Sequence, residues 1–239
     1  MSAAAFDSLA ARYDELWTNS AVGRAQRDLV WRHTDPLFRP GDRILDIGCG
    51  TGEDAAHFAA RGIAVHATDP SPAMRAIASR RVARVSAALP VPPASFDGAL
   101  SNFGALNCAA DLPAMARDLA CLIRPGGRLA VCIIGRFCLW EPVYYSARLQ
   151  FGKAFRRLSG RASSSIGAIH YPTVHGLAAA FAPDFALERF TGIGLLVPPS
   201  YVRLPAPMVG LCAMLDRMLA GVPFLRALAD HRLLIFVRK

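Results

Sequence analysis

The stretch Leu45-Asp46-Ile47-Gly48-Cys49-Gly50-Thr51-Gly52 decides the fold, because a buried strand runs there into three glycines spaced by two. The pattern predicts a strand over 43–47 and a helix that begins directly after the last glycine, over 53–61. Glycine lets the backbone turn tightly and lets a ligand approach without a clash with a Cβ atom. Asp69 ends the second predicted strand, where a carboxylate can accept both hydroxyls of a ribose. A ligand that contains a nucleoside is therefore expected at this turn.

The charges around the turn distinguish between two ligands of that kind. Asp46 precedes the glycines, and Glu53 and Asp54 open the following helix. A dinucleotide would bring its pyrophosphate to this helix end, where two carboxylates oppose the favourable helix dipole. S-adenosylmethionine (SAM) instead brings an ammonium and a sulfonium. The acidic turn favours SAM, and the spacing Gly-x-Gly-x-Gly also differs from the dinucleotide spacing Gly-x-Gly-x-x-Gly.

Outward from the turn, strands and helices alternate as in a parallel sheet covered on both faces. Further strands are predicted over 63–68, 82–86, 96–102, 128–134, 185–191 and 232–238, with Pro125-Gly126-Gly127 as a turn. Helices are predicted over 6–17, 22–38, 71–81, 111–123 and 137–158, and Thr173 is expected to cap another that runs to Phe181. The stretch 159–169 is predicted to be a loop.

These elements predict one α/β domain over 1–239, with a Rossmann-like, seven-stranded, mostly parallel sheet and helices on both faces. An N-terminal helical cap is expected over 1–40 and the ligand-binding core over 41–135. Two stretches break the alternation, 136–170 after the fifth strand and 193–230 near the end. These are the expected substrate lid.

The composition describes a globular chain with a basic balance. The 239 residues are 53% hydrophobic and 19% charged, with a formal charge of +9. Nearly all the positive charge is arginine, and it is spread along the chain rather than clustered in a nucleic-acid-binding stripe. No membrane span or secretory signal is expected, and the six cysteines form no Cys-x-x-Cys pair. We expect a cytoplasmic protein with reduced thiols, without a bound metal and without a nucleic-acid partner.

The stretch "LDIGCGTGEDAAHFAARGIAVHATDPSPAM" resembles the cofactor-binding motifs of class I SAM-dependent methyltransferases of the ubiquinone/menaquinone-biosynthesis-like, type 11 group. The stretches "SFDGALSNFGALNC", "DLPAMARDLACLIRPGGRLAV" and "AFDSLAARYDELW" resemble that family's fourth strand, its fifth strand with the preceding helix, and its N-terminal closing helix. The resemblance covers about 6–134. It implies SAM as the cofactor, with S-adenosylhomocysteine as its product.

The resemblance also implies roles for residues at matching positions. Asp46 would help hold the ammonium of SAM, Asp69 the ribose, and Tyr13 would close the pocket from above. The remaining implied contacts are Gly48, Cys49, Gly50 and Gly52 along the methionine part, Pro70 and Met74 beside the adenine, and Ser101, Asn102 and Phe103 under the sulfonium.

One segment departs from the family pattern. The family often has an aspartate in Asp-Ala-x-x-Leu-Pro before the fourth strand, where it accepts from the adenine amino group. This chain has Val85-Ser86-Ala87-Ala88-Leu89-Pro90. Adenine is then expected to be held by backbone groups and apolar contacts at Ser86, Ala87 and Leu89, without one hydrogen bond worth about 1–3 kcal/mol.

Histidines and arginines are the main candidates for activating and binding the methyl acceptor. A hydroxyl or carbon acceptor needs deprotonation, and histidine is the usual base. His170, His175 and His33 are the candidates, each weighed against a packing or surface role. Glu141 and Tyr144–Tyr145 could orient a substrate, and four arginines could grip a carboxylate or phosphate, although most are expected on solvated faces: Arg148, Arg156, Arg157 and Arg203.

The predicted function is methyl transfer from SAM to a small-molecule acceptor, apolar or carrying an acidic group, with O-methylation ahead of C- or N-methylation. Two alternatives stay open, an inactive SAM-binding regulatory protein and a nucleic-acid methyltransferase. The apolar stretch 195–228 is expected in the core or lid, and peripheral contact with a membrane surface also stays open. The oligomeric state is left undetermined.

Overall fold

A computed structural model describes residues 3–89, 96–164 and 167–239 of the protein. Its strands are β1 (Arg43–Ile47), β2 (Ala64–Thr68), β3 (Arg84–Ser86), β4 (Phe96–Ser101), β5 (Ile123–Ile134), β6 (Arg161–Ser164), β7 (Gly167–His170), β8 (Phe185–Ile193) and β9 (His231–Arg238). Its α-helices are α1 (Ala3–Tyr13), α2 (Ala21–Thr34), α3 (Glu53–Ala59), α4 (Pro72–Ala78), α5 (Leu112–Leu122), α6 (Trp140–Ser146), α7 (Phe151–Ala154), α8 (Val174–Phe181) and α9 (Ala206–Leu219).

Seven strands form one sheet in the order β3-β2-β1-β4-β5-β9-β8. Strand β9 runs antiparallel to both of its neighbours, and the other pairs are parallel. The predicted seven-stranded, mostly parallel sheet is therefore confirmed. The antiparallel pairing places His231 opposite Ile134, so the start of β9 lies at the same edge as the carboxyl ends of β1, β4 and β5. Ligands bind at that edge in open α/β sheets.

Helices cover both faces of the sheet, and each face has its own core. On one face, Leu29 and Val30 of α2 and Phe58 of α3 pack against Ile44 and Leu100 of the strands. On the other face, α5 and α8 bury Leu119, Leu122, Leu177 and Phe181 against β4, β5 and β9. Burial on both faces explains why the strands read as continuous apolar runs.

The N-terminal region differs from the single helix predicted over 6–17. The helix α1 ends at Tyr13 and continues as one π-helical turn over Asp14–Thr18. Ser20 then caps α2 by accepting from the backbone N–H of Gly23 at 3.0 Å. Asp7 of α1 accepts from Ser71 Oγ at 2.5 Å and from the backbone N–H of Ala73 at 3.0 Å, so α1 is held against α4.

Three predictions for β5 and the segment after it are wrong. The predicted helix over 137–158 is two short helices, α6 and α7, and the predicted loop over 159–169 contains the paired strands β6 and β7. Strand β5 also begins at Ile123 and includes the Pro125-Gly126-Gly127 stretch read as a turn. Apolar spacing identified a helical region here but could not show its break, because the chain leaves the helix at Leu149 in a left-handed conformation with φ of 56°.

The stretch 193–230 contains the 14-residue helix α9. The buried carboxylate of Asp216 on α9 accepts from the backbone N–H groups of Leu196 at 2.8 Å and Val197 at 3.1 Å, which fixes the preceding loop. Among the described residues, no helix is both long and apolar enough to cross a bilayer.

Candidate functional site

The glycine turn between β1 and α3 is built from left-handed backbone. Gly48, Gly50 and Gly52 have φ of 71°, 55° and 83°. A Cβ atom at Gly48 would stand 2.3 Å from the Cβ of Ala105, so only glycine lets this turn meet the segment after β4. The backbone N–H groups of Gly48 and Cys49 both donate to the carbonyl of Thr68, which joins the turn to the end of β2. The Cys49 side chain is buried in the core beside the turn.

Asp69 connects the glycine turn to α4. One carboxylate oxygen accepts from the backbone N–H of Gly50 at 2.9 Å, and the other accepts from that of Ser71 at 2.8 Å. Burial raises the pKa of Asp69, although these two hydrogen bonds oppose the shift. Each oxygen retains a second lone pair, and the carboxylate lines a cavity. Asp69 can therefore accept further hydrogen bonds from a ligand.

Three adjoining cavities follow the carboxyl edge of the sheet. The central cavity, about 160 Å³, is lined by Phe6, Tyr13, Gly48, Gly50, Asp69, Pro70, Met74, Asn102, Phe103, Gly104, Ala105, Cys108, Ile134 and Ile169. It contains eight of the residues predicted to contact the cofactor, from Tyr13 to Phe103 along the chain. Because these eight residues come from four separate segments of the chain, their convergence is a property of the fold.

A second cavity, of about 270 Å³, opens beside β3 and is called here the β3-side cavity. It shares Gly48, Asp69 and Pro70 with the central cavity, and Ala87, Ala88 and Leu89 line its β3 side. Ser86 does not line it, because its hydroxyl donates to the carbonyl of Ala88 and lies 2.9 Å from His66 Nε2. The predicted apolar contacts at Ala87 and Leu89 thus face a cavity, and Pro90 lies outside the described residues.

Buried charges stand behind the central cavity. Asp54 accepts from Arg27 Nη1 at 2.5 Å, from Trp31 Nε1 at 2.8 Å and from Asn102 Nδ2 at 3.2 Å. Asp46 is buried in β1, and desolvation together with the nearby charge of Asp54 raises its pKa well above the ordinary value. Within the described part of the chain, Asp46 Oδ2 and Arg27 Nε have no hydrogen-bond partner. Such orphaned polar atoms are expected where a polar ligand completes the pairing.

The π-helical turn closes over the glycine turn. Tyr13 lines the central cavity. A Cβ atom placed on Gly50 would lie 4.0 Å from Tyr13 Cε1. Asp14 accepts from Thr51 Oγ1 at 2.7 Å and pairs with Arg81 at 2.5 Å. Tyr13 thus lies at the cavity wall beside the glycine turn, and its closure over a cofactor stays a prediction.

A third cavity, of about 320 Å³, is called here the aromatic cavity. It shares Tyr13, Phe103 and Ile134 with the central cavity, and its other lining residues are Trp17, Arg157, Pro199, Ser200, Tyr201, Asp230 and His231. Phe103 makes edge contacts with Trp17 at 5.4 Å and with His231 at 5.5 Å between ring centroids. The wall between the two cavities is therefore aromatic.

One side of the aromatic cavity carries a buried ionic cluster. Arg157 lies 2.9 Å from an oxygen of Asp230 and 3.1 Å from an oxygen of Glu141, and Arg156 lies 2.7 Å from Glu141. Arg157 is an exception to the solvated faces expected for most of the four arginines, because its side chain is only 7% exposed. His231 Nδ1 lies 3.3 Å from Asp230 Oδ2, and burial lowers the pKa of His231.

The structure does not bring the three predicted catalytic histidines together. His170 lies beside a separate surface cavity with Asp111 and Pro172, and His175 is exposed on α8. His33 is half-buried on α2, where burial and nearby arginines lower its pKa. None of them lines the central or the aromatic cavity. Their role as a base stays a prediction.

The remaining predicted contacts have structural partners. Ser101 donates to the carbonyl of Ile47. Gly52 is the N-cap of α3, and a Cβ atom there would lie 3.0 Å from the Cβ of Ala78. Sequence reasoning missed Arg27, Trp17, Asp230 and His231. The signal for Asp230 and His231 was an aspartate and a histidine side by side at the start of the final apolar strand. Because that strand is antiparallel to β5, its start lies at the carboxyl edge of the sheet.

Comparison with known families supports a specific class of domain. Residues 45–131 match the model of a family described as "Methyltransferase domain". That range covers the end of β1, the glycine turn, Asp69 and strands β2 to β4 with most of β5.

Among curated proteins, the chain is similar to demethylmenaquinone methyltransferase from Mycolicibacterium gilvum. The two are 37% identical over 137 residues, which cover 54% of this chain and 58% of the relative. The match thus spans less than two thirds of the relative's length.

Solved structures share the fold over nearly the whole chain. A SAM-dependent methyltransferase from Thermotoga maritima, described as a possible histamine N-methyltransferase, has a TM-score of 0.64 at 17% identity and covers 98% of both chains. The 1,6-didemethyltoxoflavin-N1-methyltransferase from Burkholderia thailandensis, solved with S-adenosylhomocysteine, has a TM-score of 0.54 at 23% identity. It covers 90% of this chain and 78% of its own.

Proposed function

We propose, for a chain that belongs to the class I SAM-dependent methyltransferases of the type 11 group, that it methylates an ionisable hydroxyl of a small planar acceptor. The observation that carries the proposal is His231, whose ring lines the aromatic cavity while Nδ1 lies 3.3 Å from the buried Asp230 carboxylate. Within the described residues His231 Nδ1 makes no hydrogen bond, so Asp230 acts on the imidazole through its nearby charge. A neutral imidazole that lines the cavity can serve as a base.

The cofactor would occupy the central cavity and the β3-side cavity. When bound, SAM supplies a methyl group on a sulfonium, and the carbon–sulfur bond breaks as the acceptor oxygen bonds to that carbon, leaving S-adenosylhomocysteine. Asp46 and Arg27 are buried and line neither cavity, but the unpartnered Asp46 Oδ2 and Arg27 Nε are the candidates to pair with the ammonium and the carboxylate of SAM. Asp69 would accept from the ribose hydroxyls. These polar needs match the residues present.

The adenine would lie between apolar groups. Pro70 and Met74 line the central cavity, and Ala87 and Leu89 line the β3-side cavity beyond Asp69. A continuous apolar lining can hold the base by dispersion and desolvation where the family aspartate is missing. We propose that this chain binds SAM with less help from an adenine hydrogen bond than relatives with that aspartate.

The aromatic cavity would hold the acceptor. Tyr13, Trp17, Phe103 and Tyr201 give it flat apolar walls, which suit a planar conjugated molecule. Trp17 Nε1 is buried and has no hydrogen-bond partner in the described part of the chain, so it can donate to an acceptor oxygen. The relative from Mycolicibacterium gilvum, named for demethylmenaquinone, supports an acceptor of this general shape.

His231 would take the hydroxyl proton. Burial lowers the pKa of His231, so the imidazole is neutral at pH 7 and can accept a proton. Asp230 stabilises the imidazolium that forms, and Arg157 balances the charge of Asp230. The acceptor oxygen, freed of its proton, is then the nucleophile. This assignment favours O-methylation, since the base acts at a hydroxyl.

The first test is calorimetric titration with S-adenosylhomocysteine, with NADH as the control ligand. We expect micromolar binding of the first and no binding of the second. Absence of S-adenosylhomocysteine binding would contradict the cofactor assignment before any acceptor is considered.

The second test uses soluble phenols and naphthols as acceptors, with mass spectrometry and NMR to locate the new methyl group. His231→Gln should lower kcat by about 10²-fold or more, the usual contribution of a positioned general base. His175→Gln, on exposed α8, tests the base predicted from the sequence and should retain activity when His231 is the base. Equal activity of His231→Gln and the native protein would contradict the base assignment, and a carbon-bound methyl product would contradict O-methylation.

A further inference from the structure

The segment 148–161 exposes large apolar side chains among cations. The group is called here the basic apolar surface, and it consists of Arg148, Leu149, Phe151, Lys153, Phe155, Leu158 and Arg161. Leu149 is 80% exposed, Phe151 57%, Phe155 49% and Leu158 47%. Exposed leucines and phenylalanines that occur singly are ordinary, but four within ten residues form a patch that needs a partner.

The backbone of this segment holds one apolar side chain outward. Leu149 has φ of 56° in the turn between α6 and α7, a conformation that is costly for a branched apolar residue. The turn is nevertheless closed by hydrogen bonds from the backbone N–H groups of Leu149 and Gln150 to Ser146 and Tyr145. The fold thus presents its most exposed large apolar residue on a defined turn rather than on a loose end.

The charge of the segment has one sign. The sequence has no aspartate or glutamate between Glu141 and Asp184, while the same stretch contains five cations. Glu141 is buried and pairs with Arg156 and Arg157. Across the described ranges, Arg148, Lys153 and Arg161 form no ion pair with a carboxylate within 4 Å. Three cations therefore flank the exposed apolar groups without a neutralising partner.

We infer that the basic apolar surface docks on the face of an anionic lipid bilayer. Apolar side chains would enter the boundary between headgroups and acyl chains, and the flanking cations would meet lipid phosphates. A second copy of the chain is disfavoured as the partner, because a two-fold contact would place these cations opposite one another. A nucleic acid would leave Leu149 and Leu158 without a complementary surface, since it offers stacking to aromatic groups rather than to aliphatic ones.

The surface lies next to the aromatic cavity. Arg157 belongs to the same segment, between Phe155 and Leu158, and its side chain lines that cavity. Docking would bring the cavity to the bilayer surface and favour a lipophilic acceptor. This consequence rests on the proposed function, whereas the docking itself does not.

The test is co-sedimentation of the full chain with vesicles of phosphatidylcholine alone and of phosphatidylcholine with 30% phosphatidylglycerol. We expect binding to the anionic vesicles and a decrease at higher salt. Two changes should weaken it. Leu149→Asn with Phe151→Ser removes apolar groups, and Lys153→Glu should reduce the partition coefficient about fivefold or more. Arg117→Glu, on the exposed face of α5, makes the same change in net charge away from the surface and is the matched control.

Three results would overturn the inference. They are no binding to anionic vesicles, equal loss in the Lys153→Glu and Arg117→Glu variants, and binding to single-stranded RNA in a salt-sensitive gel shift without binding to vesicles. S-adenosylhomocysteine titration of each variant separates this outcome from the proposed function, because none of these changes touches the cofactor cavities. Circular dichroism shows whether the variants are folded.

Discussion

At the scale of single residues, function depends on polar atoms that the protein leaves unsatisfied. Asp46 Oδ2, Arg27 Nε and Trp17 Nε1 are buried and lack a partner within the described residues. An unpaired buried group costs about 1–3 kcal/mol, which ligand binding can recover. The same atoms therefore reduce the stability of the empty protein and increase its affinity for a matching ligand.

The carboxylate of Asp69 provides a direct test of the cofactor site. Asp69→Asn removes the charge proposed to accept from the ribose and one of the two backbone hydrogen bonds that the carboxylate accepts, so the affinity for S-adenosylhomocysteine should fall by about 10- to 100-fold. Calorimetry measures this change. Asp118→Asn on the exposed face of α5 serves as the control, and an equal effect of both substitutions would exclude a specific ribose contact.

His231 should make the stability depend on pH in a definite direction. Burial lowers its pKa in the folded protein, so the unfolded chain binds the proton more readily. The contribution of neutral His231 is then fully present above the unfolded pKa of about 6.5 and is lost as the pH falls. Urea unfolding between pH 7.5 and 5 should show a smaller loss of stability for His231→Gln than for the native protein. His33 and His66 shift in the same direction, so the difference between the two proteins is the relevant quantity.

At the scale of elements, the segment between α6 and α7 departs most from local preference. Leu149 takes a left-handed conformation and is 80% exposed, so its side chain gains little from burial. Asparagine adopts that conformation more easily. Leu149→Asn should therefore leave the free energy of unfolding unchanged or raise it by up to about 1 kcal/mol.

Chemical denaturation measures that change. Val143→Asn is the comparison, because Val143 is 59% exposed but sits in right-handed α6, where no backbone strain is relieved. A clear destabilisation by Leu149→Asn would mean that the turn depends on this side chain.

At the scale of the whole molecule, the cofactor site joins elements that are far apart in sequence. Helix α1, the glycine turn, α4 and the segment after β4 all line the central cavity. A ligand bound there stabilises the folded state alone, by about 2.7 kcal/mol at 100 times its Kd. S-adenosylhomocysteine at that concentration should raise Tm by about 5–10 °C, whereas the same excess of NADH should not. Differential scanning fluorimetry is sufficient to test this expectation.

The sequence by itself determined the class of fold and predicted where the cofactor would bind. Strand β1, the glycine turn and α3 are contiguous, and each depends on local preferences: apolar β-formers, residues that accept positive φ, and a helix start. Asp69 follows at a short distance along the chain, so its role could be predicted from spacing. The order of the helices and strands from β1 to β5 followed from the same kind of pattern, whereas the elements between β5 and α8 did not.

Only the tertiary structure decided the acceptor side. His231 reaches the aromatic cavity because β9 runs antiparallel to β5, which brings residue 231 beside residue 134. The burial of Arg157 depends on Glu141 and Asp230, one 16 positions before it and the other 73 after it. Local sequence patterns could predict neither the β5–β9 pairing nor the ion pairs of Arg157, because burial and charge compensation arise only when distant segments pack together. For the same reason, the exposure of Leu149 and its neighbours could not be separated from an ordinary helical core pattern until the fold was known.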